Sequence, residues 1–305
     1  MNDKKVSWAR LSIISNSLLV LFKVMVGIFT GSVSIIAEGL HSGVDLLASV
    51  ITFFSVKVAS RPADLRHPYG HGKVENIAGT IEGLLIFLGA VLIIKEAVPK
   101  FWHPEIPESL GWGIGVMAVS AVINFFISQT LLKIAKETDS PALEADGWHL
   151  KTDVYTSVGV LLGLMLIKLT GISYFDPILA LIVAGMILKA AYEITFEGFA
   201  NMVDTALPEG EISLIKDSIS QYGEKFIEFH KLRARKSGSE RFIDLHLVVP
   251  EKLSVKEVHD LCNKIERDIE GKLPNSHVLI HAEPCQKDKR ECEDCPYCPE
   301  KKADL

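Results

Sequence analysis

Six long apolar runs in the first two thirds of this 305-residue sequence constrain its fold most strongly. Each run is long enough to cross a lipid bilayer as an α-helix, which takes about 20 predominantly apolar residues. The runs lie at 8–30, 32–59, 74–100, 110–136, 141–170 and 176–203. The sequence therefore predicts a multi-pass integral membrane protein with an α-helical membrane domain of six transmembrane helices.

Lysine and arginine residues occupy alternate connections between these runs. They are found before the first run, around the second-to-third connection and at the fourth-to-fifth connection, as Lys4, Lys5, Arg10, Arg61, Arg66, Lys73, Lys133 and Lys136. The connections near 101–109 and 171–175 contain neither residue type. By the positive-inside rule, we expect both termini to be cytoplasmic in the cell (inner) membrane.

The last third of the chain has the composition of a soluble domain. Its hydrophobic periodicity predicts helices near 211–222 and 255–269 and strands near 226–235, 241–249 and 277–281. The order α-β-β-α-β predicts a small open α/β sandwich with its helices on one face. We divide the chain into a transmembrane domain at 1–206, a soluble cytoplasmic domain at 207–284 and a Cys-rich tail at 285–305.

The overall charge indicates no nucleic-acid partner. The formal net charge is −6, and no basic stripe with interleaved aromatic residues occurs. The composition, 48% hydrophobic and 23% charged, instead fits a membrane domain joined to a soluble one.

Two pairs of ionisable residues lie inside apolar runs. His41 and Asp45 are four residues apart in the second run, as are His149 and Asp153 in the fifth, so each pair shares one helix face. A single pair is equally explained by a hydrogen bond between packed helices, but two pairs are harder to explain that way. Together they offer two imidazoles and two carboxylates, a tetrahedral set that suits Zn²⁺. Imidazole also suits Co²⁺, Ni²⁺ and Fe²⁺, and the lack of a neighbouring thiol disfavours copper(I).

A second group of possible ligands lies in the connection after the second run. Asp64, His67 and His71 form a DxxHxxxH pattern beside the predicted membrane surface. These residues are a candidate metal site, although histidines in a surface loop are often without function.

Histidines also fall on every strand predicted in the soluble domain. His230, His246 and His281 lie one on each strand, Glu283 follows on the face of His281, and His259 lies on the intervening helix. Because His246 is on the strand face opposite the apolar residues, it is not a core histidine. Together these residues predict a site for one or two metal ions.

The tail carries Cys285, Cys292, Cys295 and Cys298, the last three at CxxCxxC spacing. This spacing in a cytoplasmic segment favours soft-metal binding over disulfides. An iron–sulfur site and a solvated tail with incidental thiols remain alternatives.

Isolated polar residues in the other runs have no assigned role. Asn16, Lys23 and Asn124 are best explained by interhelical hydrogen bonds or by a lysine that reaches the membrane surface. Glu82 and Glu38 stay unassigned, with a cytoplasmic entry to the site as one hypothesis for Glu38.

These motifs resemble those of the cation diffusion facilitator family over about residues 8–285. The resemblance rests on HSGVD and HLKTD in two of the six runs, on RPADLRHPYGHGKVE in the connection and on the closing HAEPC. It implies a homodimeric transporter, not an enzyme, that exports divalent metal ions in exchange for protons. It also implies that the cytoplasmic domain at 207–284 is metallochaperone-like, binds metal and dimerises.

The resemblance also implies roles for individual residues. The two intramembrane pairs match the transport site, Asp64, His67 and His71 match a loop site, and His230, His246, His259 and His281 match a cytoplasmic binuclear site. Lys73 and Asp204 match a charge pair that locks the membrane and cytoplasmic parts together. Glu283 stands where the family usually has aspartate, and the Cys-rich tail lies outside the family's common pattern.

The sequence therefore predicts proton-coupled efflux of divalent metal cations by alternating access. His41, where bacterial members often carry aspartate, resembles a zinc-selective site and favours Zn²⁺ as substrate and regulatory ion. Transport of Fe²⁺, Co²⁺, Cd²⁺ or Mn²⁺ is the alternative, and a membrane metal sensor without transport is the alternative outside this class. A metalloprotease is disfavoured because the sequence lacks HExxH.

Overall fold

The computed structural model describes residues 2–31, 33–102, 111–172 and 174–285. The chain divides into two compact units, Met1–Val203 and Asp204–Leu305.

Six helices form the first unit, as the sequence predicts. They are α1 (Asn2–Thr30), α2 (Val33–Ala59), α3 (Lys73–Ala97), α4 (Gly111–Thr138), α5 (Pro141–Thr170) and α6 (Phe175–Met202). Each contains a segment long and apolar enough to cross a membrane, with mean hydropathy between 1.5 and 2.4. Apart from α1, which begins at Asn2 rather than near residue 8, the ends fall within a few residues of the prediction.

Local sequence explains where α5 begins and ends. Ser140 has extended backbone geometry, and its Oγ accepts a hydrogen bond from the backbone N–H of Leu143, so it is an N-cap. Pro141 then occupies the first turn, where a missing N–H costs nothing. At the other end Gly171 adopts φ 72°, a left-handed conformation that glycine reaches without strain.

The two ends of this unit differ in chemistry. We call the end that carries the N-terminus of α1 and the α2–α3 and α4–α5 connections the Lys5 end, because Lys5 contacts Glu75 there. The opposite end, which carries the α3–α4 and α5–α6 connections, is called the Lys100 end. There the rings of Phe101 and Tyr174 stack with centroids 6.3 Å apart.

Small residues allow the helices to approach closely, while large apolar side chains face outward. A Cβ added at Gly83 of α3 would collide with Thr195 of α6, so the two backbones touch here. Phe29, Phe126 and Leu18 are 88%, 65% and 61% exposed. An outward apolar surface with a polar interior is the arrangement that a bilayer requires.

The second unit has the predicted α-β-β-α-β order. Its elements are α7 (Glu209–Ser220), β1 (Glu228–Ser237), β2 (Glu240–Val249), α8 (Val255–Lys272) and β3 (Ser276–Pro284). The sheet order is β1-β2-β3, with β1 antiparallel to β2 and β3 parallel to β2. The parallel pair is possible because α8 provides the crossover.

Strict alternation along β2 separates a core face from a second face. Ile243, Leu245 and Leu247 are at most 2% exposed and pack with Ile265 and Ile269 of α8. The intervening positions of β2 are half-buried and lie on the other face. Because side chains alternate along a strand, that face is the one that receives His246.

Candidate metal sites

Polar residues on α2 and α5 face each other inside the helical unit. On α2 the buried Asp45, Ser49 and Thr52 recur at helical spacing. On α5, the buried Asp146 and His149 recur in the same way. Sequence spacing alone therefore creates two polar stripes, and helix packing brings them together.

The four predicted transport ligands lie together, and we call them the intramembrane cluster. His149 Nε2 of α5 lies 3.1 Å from Asp45 Oδ1 of α2. Ligand atoms of His41, Asp45 and Asp153 all lie within 4.8 Å of one another. Asp45 and His149 are only 5% and 8% exposed. The cluster thus provides two imidazoles and two carboxylates in one small volume, a donor set suited to a divalent cation.

A cavity of about 590 Å³ leads to this cluster from one side. His41, Asp45, His149 and Asp153 all line it, and its wall extends to Glu96 and Lys100 near the end of α3. Access to the cluster is therefore from the Lys100 end.

At the Lys5 end, buried contacts close the helices over the cluster. Lys5 Nζ lies 3.0 Å from Glu75 Oε1, and both side chains are 2% exposed. The Ser140 hydroxyl hydrogen-bonds the other oxygen of Glu75, so α1, α3 and α5 meet at one carboxylate. Leu131 and Leu143, at most 1% exposed, add an apolar layer at the same end.

Two buried acids accompany the cluster, and the sequence did not assign either of them. Glu82 of α3 accepts a hydrogen bond from Thr52, and Asp146 Oδ1 accepts one from Ser49 Oγ at 3.0 Å. Asn16 Nδ2 donates to the same Ser49 hydroxyl at 2.7 Å. Sequence reasoning overlooked Asp146, although its position three residues before His149 on one helix face was a usable signal.

Lys23 of α1 lies inside the helical unit rather than reaching the membrane surface. It is 6% exposed, lines the cavity and donates from Nζ to Ser42 Oγ at 2.9 Å. Of the alternatives for this lysine, the structure favours the interhelical hydrogen bond. The side chain of Glu38, for which a place at the cytoplasmic entry was one hypothesis, lies outside the described residues.

Asp64, His67 and His71 form the second group, which we call the loop cluster. Asp64 lies 3.2 Å from His67 Nδ1 through Oδ1 and 3.4 Å from His71 Nε2 through Oδ2. The backbone N–H groups of His67 and Arg66 donate to Asp64 Oδ1, and these bonds, that of His67 first, hold the pKa of Asp64 below its ordinary value. A carboxylate that stays ionised between two imidazoles is suited to cation binding.

The third group lies on the second face of the sheet, and we call His230, His246, His281 and Glu283 the sheet cluster. His230 and His281 are both register partners of His246, which places one histidine on each strand. His246 Nδ1 lies 2.6 Å from Glu283 Oε1, and His230 Nε2 lies 3.3 Å from Glu283 Oε2. The contact with His246 is the largest cause that lowers the pKa of Glu283.

Within the sheet cluster, three residues are closest. His230, His246 and Glu283 have ligand atoms within 4.8 Å of one another. His281 Nε2 is 3.9 Å from Glu283 Oε1 and its side chain is 66% exposed. His259 is exposed on α8, where its Nε2 contacts Asn263 at 3.0 Å, outside this cluster. A ligand role for His259 stays a prediction.

Of the four cysteines predicted to form a site in the tail, only Cys285 lies among the described residues. The backbone N–H of Cys285 donates to Val249 O at 3.0 Å. The soft-metal site predicted at Cys292, Cys295 and Cys298 lies outside the described residues.

The predicted charge pair between Lys73 and Asp204 spans the two units, and each partner has a contact within its own unit. Lys73 Nζ donates to Met202 O at 3.2 Å, and Arg235 Nη1 donates to Asp204 Oδ1 at 3.0 Å. The pair stays a prediction.

Both units match models of known families. Residues 9–203 match the cation efflux transmembrane domain, and residues 207–285 match the cytoplasmic domain of cation efflux proteins. Together these matches cover most of the chain.

Whole-length relatives show the same similarity. An uncharacterised transporter of Methanocaldococcus jannaschii is 34% identical over 273 residues, which are 90% of this chain and 96% of that protein. The cation-efflux pump FieF of Serratia proteamaculans is 33% identical over 270 residues, 88% of this chain and 89% of the pump. A solved structure of CzrB in its zinc form, described as a candidate zinc transporter, is 33% identical over 28% of this chain and 99% of its own, with a TM-score of 0.27.

Proposed function

Because this chain belongs to the cation diffusion facilitator family of cation-efflux transporters, we propose that it exports Zn²⁺ from the cytoplasm in exchange for protons. Efflux of divalent cations by an integral membrane protein is the family's activity. The choice of Zn²⁺, the exchange for protons and the residues that perform both are the proposal.

The observation that carries the proposal is the intramembrane cluster. His149 on α5 contacts Asp45 on α2 at 3.1 Å, with His41 and Asp153 beside them. Ionisable groups within a membrane are costly and mark ion pathways. Two imidazoles favour Zn²⁺, and after it Co²⁺ or Fe²⁺, over the oxygen-preferring Mn²⁺. These four residues are proposed to bind the transported ion.

The direction of transport follows from the two ends of the helical unit. Alternate connections are rich in lysine and arginine, which by the positive-inside rule supports a cytoplasmic Lys5 end and cytoplasmic termini. The cavity reaches the cluster from the Lys100 end, whereas Lys5, Glu75 and Ser140 close the other end. We therefore propose that this conformation is the outward-open state, from which the ion leaves. Rocking of the helices would open the Lys5 end for the next ion.

Proton exchange follows from the chemistry of the ligands. Imidazole and carboxylate bind a metal ion only when they are deprotonated, so protons compete with Zn²⁺ for the same atoms. Histidine ordinarily titrates near pH 6.5, within the range that cells maintain across their membranes. Protons that enter from the Lys100 end would displace Zn²⁺ outward and would be released to the cytoplasm when the site reopens there.

The cytoplasmic domain is proposed to link two copies of the chain and to sense the metal. Residues 207–284 form this domain, 1–206 the transport domain and 285–305 the tail. Zn²⁺ at the sheet cluster would compensate the charge of Glu283 and draw the domains of a homodimer together. The loop cluster and the tail cysteines are proposed as accessory metal sites.

Transport by purified protein in proteoliposomes tests the proposal. Zn²⁺ entry would be measured with an interior dye under an imposed pH gradient, for wild type and for Asp45→Ala combined with Asp153→Ala. Asp260→Ala, an exposed substitution on α8, is the matched control. We expect the double variant to lose transport and the control to keep it. Transport that survives the double substitution, or ignores the pH gradient, would show the assignment to be wrong.

A further inference from the structure

We propose that Glu82 and Asp146 form a proton-holding pair on the cytoplasmic side of the transport site, separate from the metal ligands. The proposal rests on the proposed Zn²⁺/H⁺ exchange and adds a second place where the exchanged proton resides. Neither residue belongs to a motif that explains it.

The two acids are enclosed on all sides. Glu82 of α3 and Asp146 of α5 are both 0% exposed, and neither lines the cavity that reaches the intramembrane cluster. A Cβ added at Gly83 would collide with Thr195 of α6, and one added at Gly79 would lie 3.3 Å from Pro141 O of α5. Close backbone contact around the acids leaves little space for water.

Each acid has one oxygen engaged and one oxygen open. Thr52 hydrogen-bonds Glu82 Oε1, while Ser49 donates to Asp146 Oδ1. Among the described residues, Glu82 Oε2 and Asp146 Oδ2 are buried with no hydrogen-bond partner. A protonated carboxyl has an O–H to donate, whereas an ionised one only accepts. The arrangement thus leaves room for a proton on each acid.

Among the groups that the structure describes as interacting with the two acids, none is a fixed cation. Glu82 interacts electrostatically with Asp146 and His149 of α5, and Asp146 with His149 and with Asp45 of α2. The remaining neighbours are the hydroxyls of Ser12, Ser49 and Thr52. His149 is the only group in this set that can be cationic, and it contacts Asp45. Two uncompensated carboxylates in a dry membrane interior are strongly unfavourable, so at least one holds a proton.

The position of the pair connects this proton to transport. Asp146 lies one helical turn before His149, on the side toward the Lys5 end. In the outward-open state the pair is sealed from the cavity, and the proton that it holds arrives from the Lys100 end through His149, which lines the cavity one turn away from Asp146. When helix rocking opens the Lys5 end, water reaches the pair and the proton leaves to the cytoplasm. An acid that alternates between dry and wet surroundings in this way carries one proton per cycle without binding metal.

The first test measures proton coupling in proteoliposomes with dyes for Zn²⁺ and pH. The variants Glu82→Gln and Asp146→Asn keep side-chain shape and the ability to bond Thr52 and Ser49. We expect them to bind Zn²⁺ within about twofold of wild type and to pass it downhill, but to move fewer protons per Zn²⁺ and to lose accumulation driven by the pH gradient. Glu82→Asp should restore part of the coupling, which a purely structural role would not predict.

Infrared difference spectroscopy on the full-length protein gives a second test that needs no transport. The C=O stretch of a protonated carboxyl should be present at neutral pH in Asp45→Asn combined with Asp153→Asn, and should vanish when Glu82→Gln and Asp146→Asn are added. Absence of this band, or an unchanged number of protons per Zn²⁺ in both single variants, would overturn the proposal. Loss of one bound Zn²⁺ in these variants would overturn it in favour of a metal way-station.

The two proposals fail differently. If wild-type protein does not move Zn²⁺, the proposed function fails, whereas the infrared band still decides whether the acids are protonated. If wild type exchanges Zn²⁺ for protons and the two variants do so equally well, only the proton-holding pair is wrong.

Discussion

His149 of α5 and Asp45 of α2 are joined by a 3.1 Å contact between Nε2 and Oδ1, so the histidine of one HxxxD motif contacts the aspartate of the other. This contact links the two helices that carry the proposed ligands. A bound cation would replace it with two metal–ligand bonds. Ion binding and the spacing of α2 and α5 are therefore coupled at one pair of atoms.

The residue at position 41 should control metal preference. We expect His41→Asp to weaken Zn²⁺ binding by about 10-fold or more and to improve Mn²⁺ binding relative to Zn²⁺, because an oxygen ligand replaces imidazole. Competition titrations on purified protein would measure both affinities. His277→Asp, on β3 of the second unit, is the control. If His41→Asp leaves the preference between Zn²⁺ and Mn²⁺ unchanged, His41 does not determine the selectivity for Zn²⁺.

Glu283 should strengthen Zn²⁺ binding by the sheet cluster at every pH at which the histidines are neutral. Its pKa lies below the ordinary value, chiefly through the contact with His246, so it stays ionised while free imidazole side chains titrate near pH 6.5. Zn²⁺ affinity should therefore rise with pH through that region. Glu283→Gln should lower the Zn²⁺ affinity of the sheet cluster about 10- to 100-fold, the effect that is typical when a residue supporting a metal site is replaced.

Calorimetry on full-length protein carrying Asp45→Asn and Asp153→Asn would isolate the cytoplasmic sites for this measurement. Glu251→Gln, an exposed substitution after β2, is the matched control. Equal affinities for Glu283→Gln and this control would exclude Glu283 from the site.

Replacing only one partner of the Lys5–Glu75 pair should lower the free energy of unfolding more than replacing both partners. Both side chains are 2% exposed, and loss of one partner of a buried pair typically costs about 3–5 kcal/mol because the other charge is left uncompensated. We expect Lys5→Met alone to lower the free energy of unfolding by about this amount. Adding Glu75→Gln to Lys5→Met should restore most of the lost stability. Thermal unfolding of detergent-purified variants would measure the difference.

The same variants report on closure of the Lys5 end. Loosening this contact should increase labelling of a cysteine introduced at the buried Ala142 by a membrane-impermeant reagent. If the single variant is as stable as wild type and labelling is unchanged, the contact does not close this end.

The N-terminus of α8 should depend on its capping box. Ser254 Oγ accepts from the backbone N–H of Glu257, and the Glu257 carboxylate accepts from the backbone N–H of Ser254. Ser254→Ala should destabilise the first turn by about 1 kcal/mol. Hydrogen exchange of the amides in that turn would measure it, with Ser220→Ala in α7 as control. Exchange that stays unchanged would contradict the role of the cap.

The capping box also has a pH dependence of defined sign. Hydrogen bonds from Ser254, that of its backbone N–H first, lower the pKa of Glu257. The ionised carboxylate therefore stabilises the first turn of α8 above the ordinary glutamate pKa, and this stabilisation is lost as the pH falls through the lowered pKa. Protection of the α8 N-terminus should therefore decline on acidification in wild type. In Glu257→Gln this decline should be smaller.

Much of the architecture was predictable because it depends on periodicity. Apolar runs of membrane length, capping residues such as Ser140 and Ser254, and the strict alternation along β2 each act over a few neighbouring residues. The predicted helices and strands consequently end within a few residues of those in the structure, except at the start of α1. His246 could also be assigned to the face of β2 opposite the apolar residues, since side chains alternate along a strand. The pairing of β1 and β3 with β2 was needed to bring His230 and His281 beside it.

The surroundings of Glu82, Asp146 and Lys23 could not be predicted in the same way. A polar residue in an apolar run is compatible with a hydrogen bond, a cavity or the membrane surface, and the choice depends on which helices pack together. Lys23 has Ser42 of α2 as a partner, and Asp146 has Ser49 of the same helix. These contacts join residues 19 and 97 positions apart.

By itself, the sequence determined which residues share a helix or strand face, because the repeats of 3.6 and 2 residues are local properties of the backbone. It thereby determined that His41 lies with Asp45 and His149 with Asp153. Only the tertiary structure decided that the two pairs contact each other, that the cavity reaches them from the Lys100 end and that Glu82 and Asp146 are sealed from it. Those outcomes depend on close approach between helices distant in sequence, which no local pattern specifies.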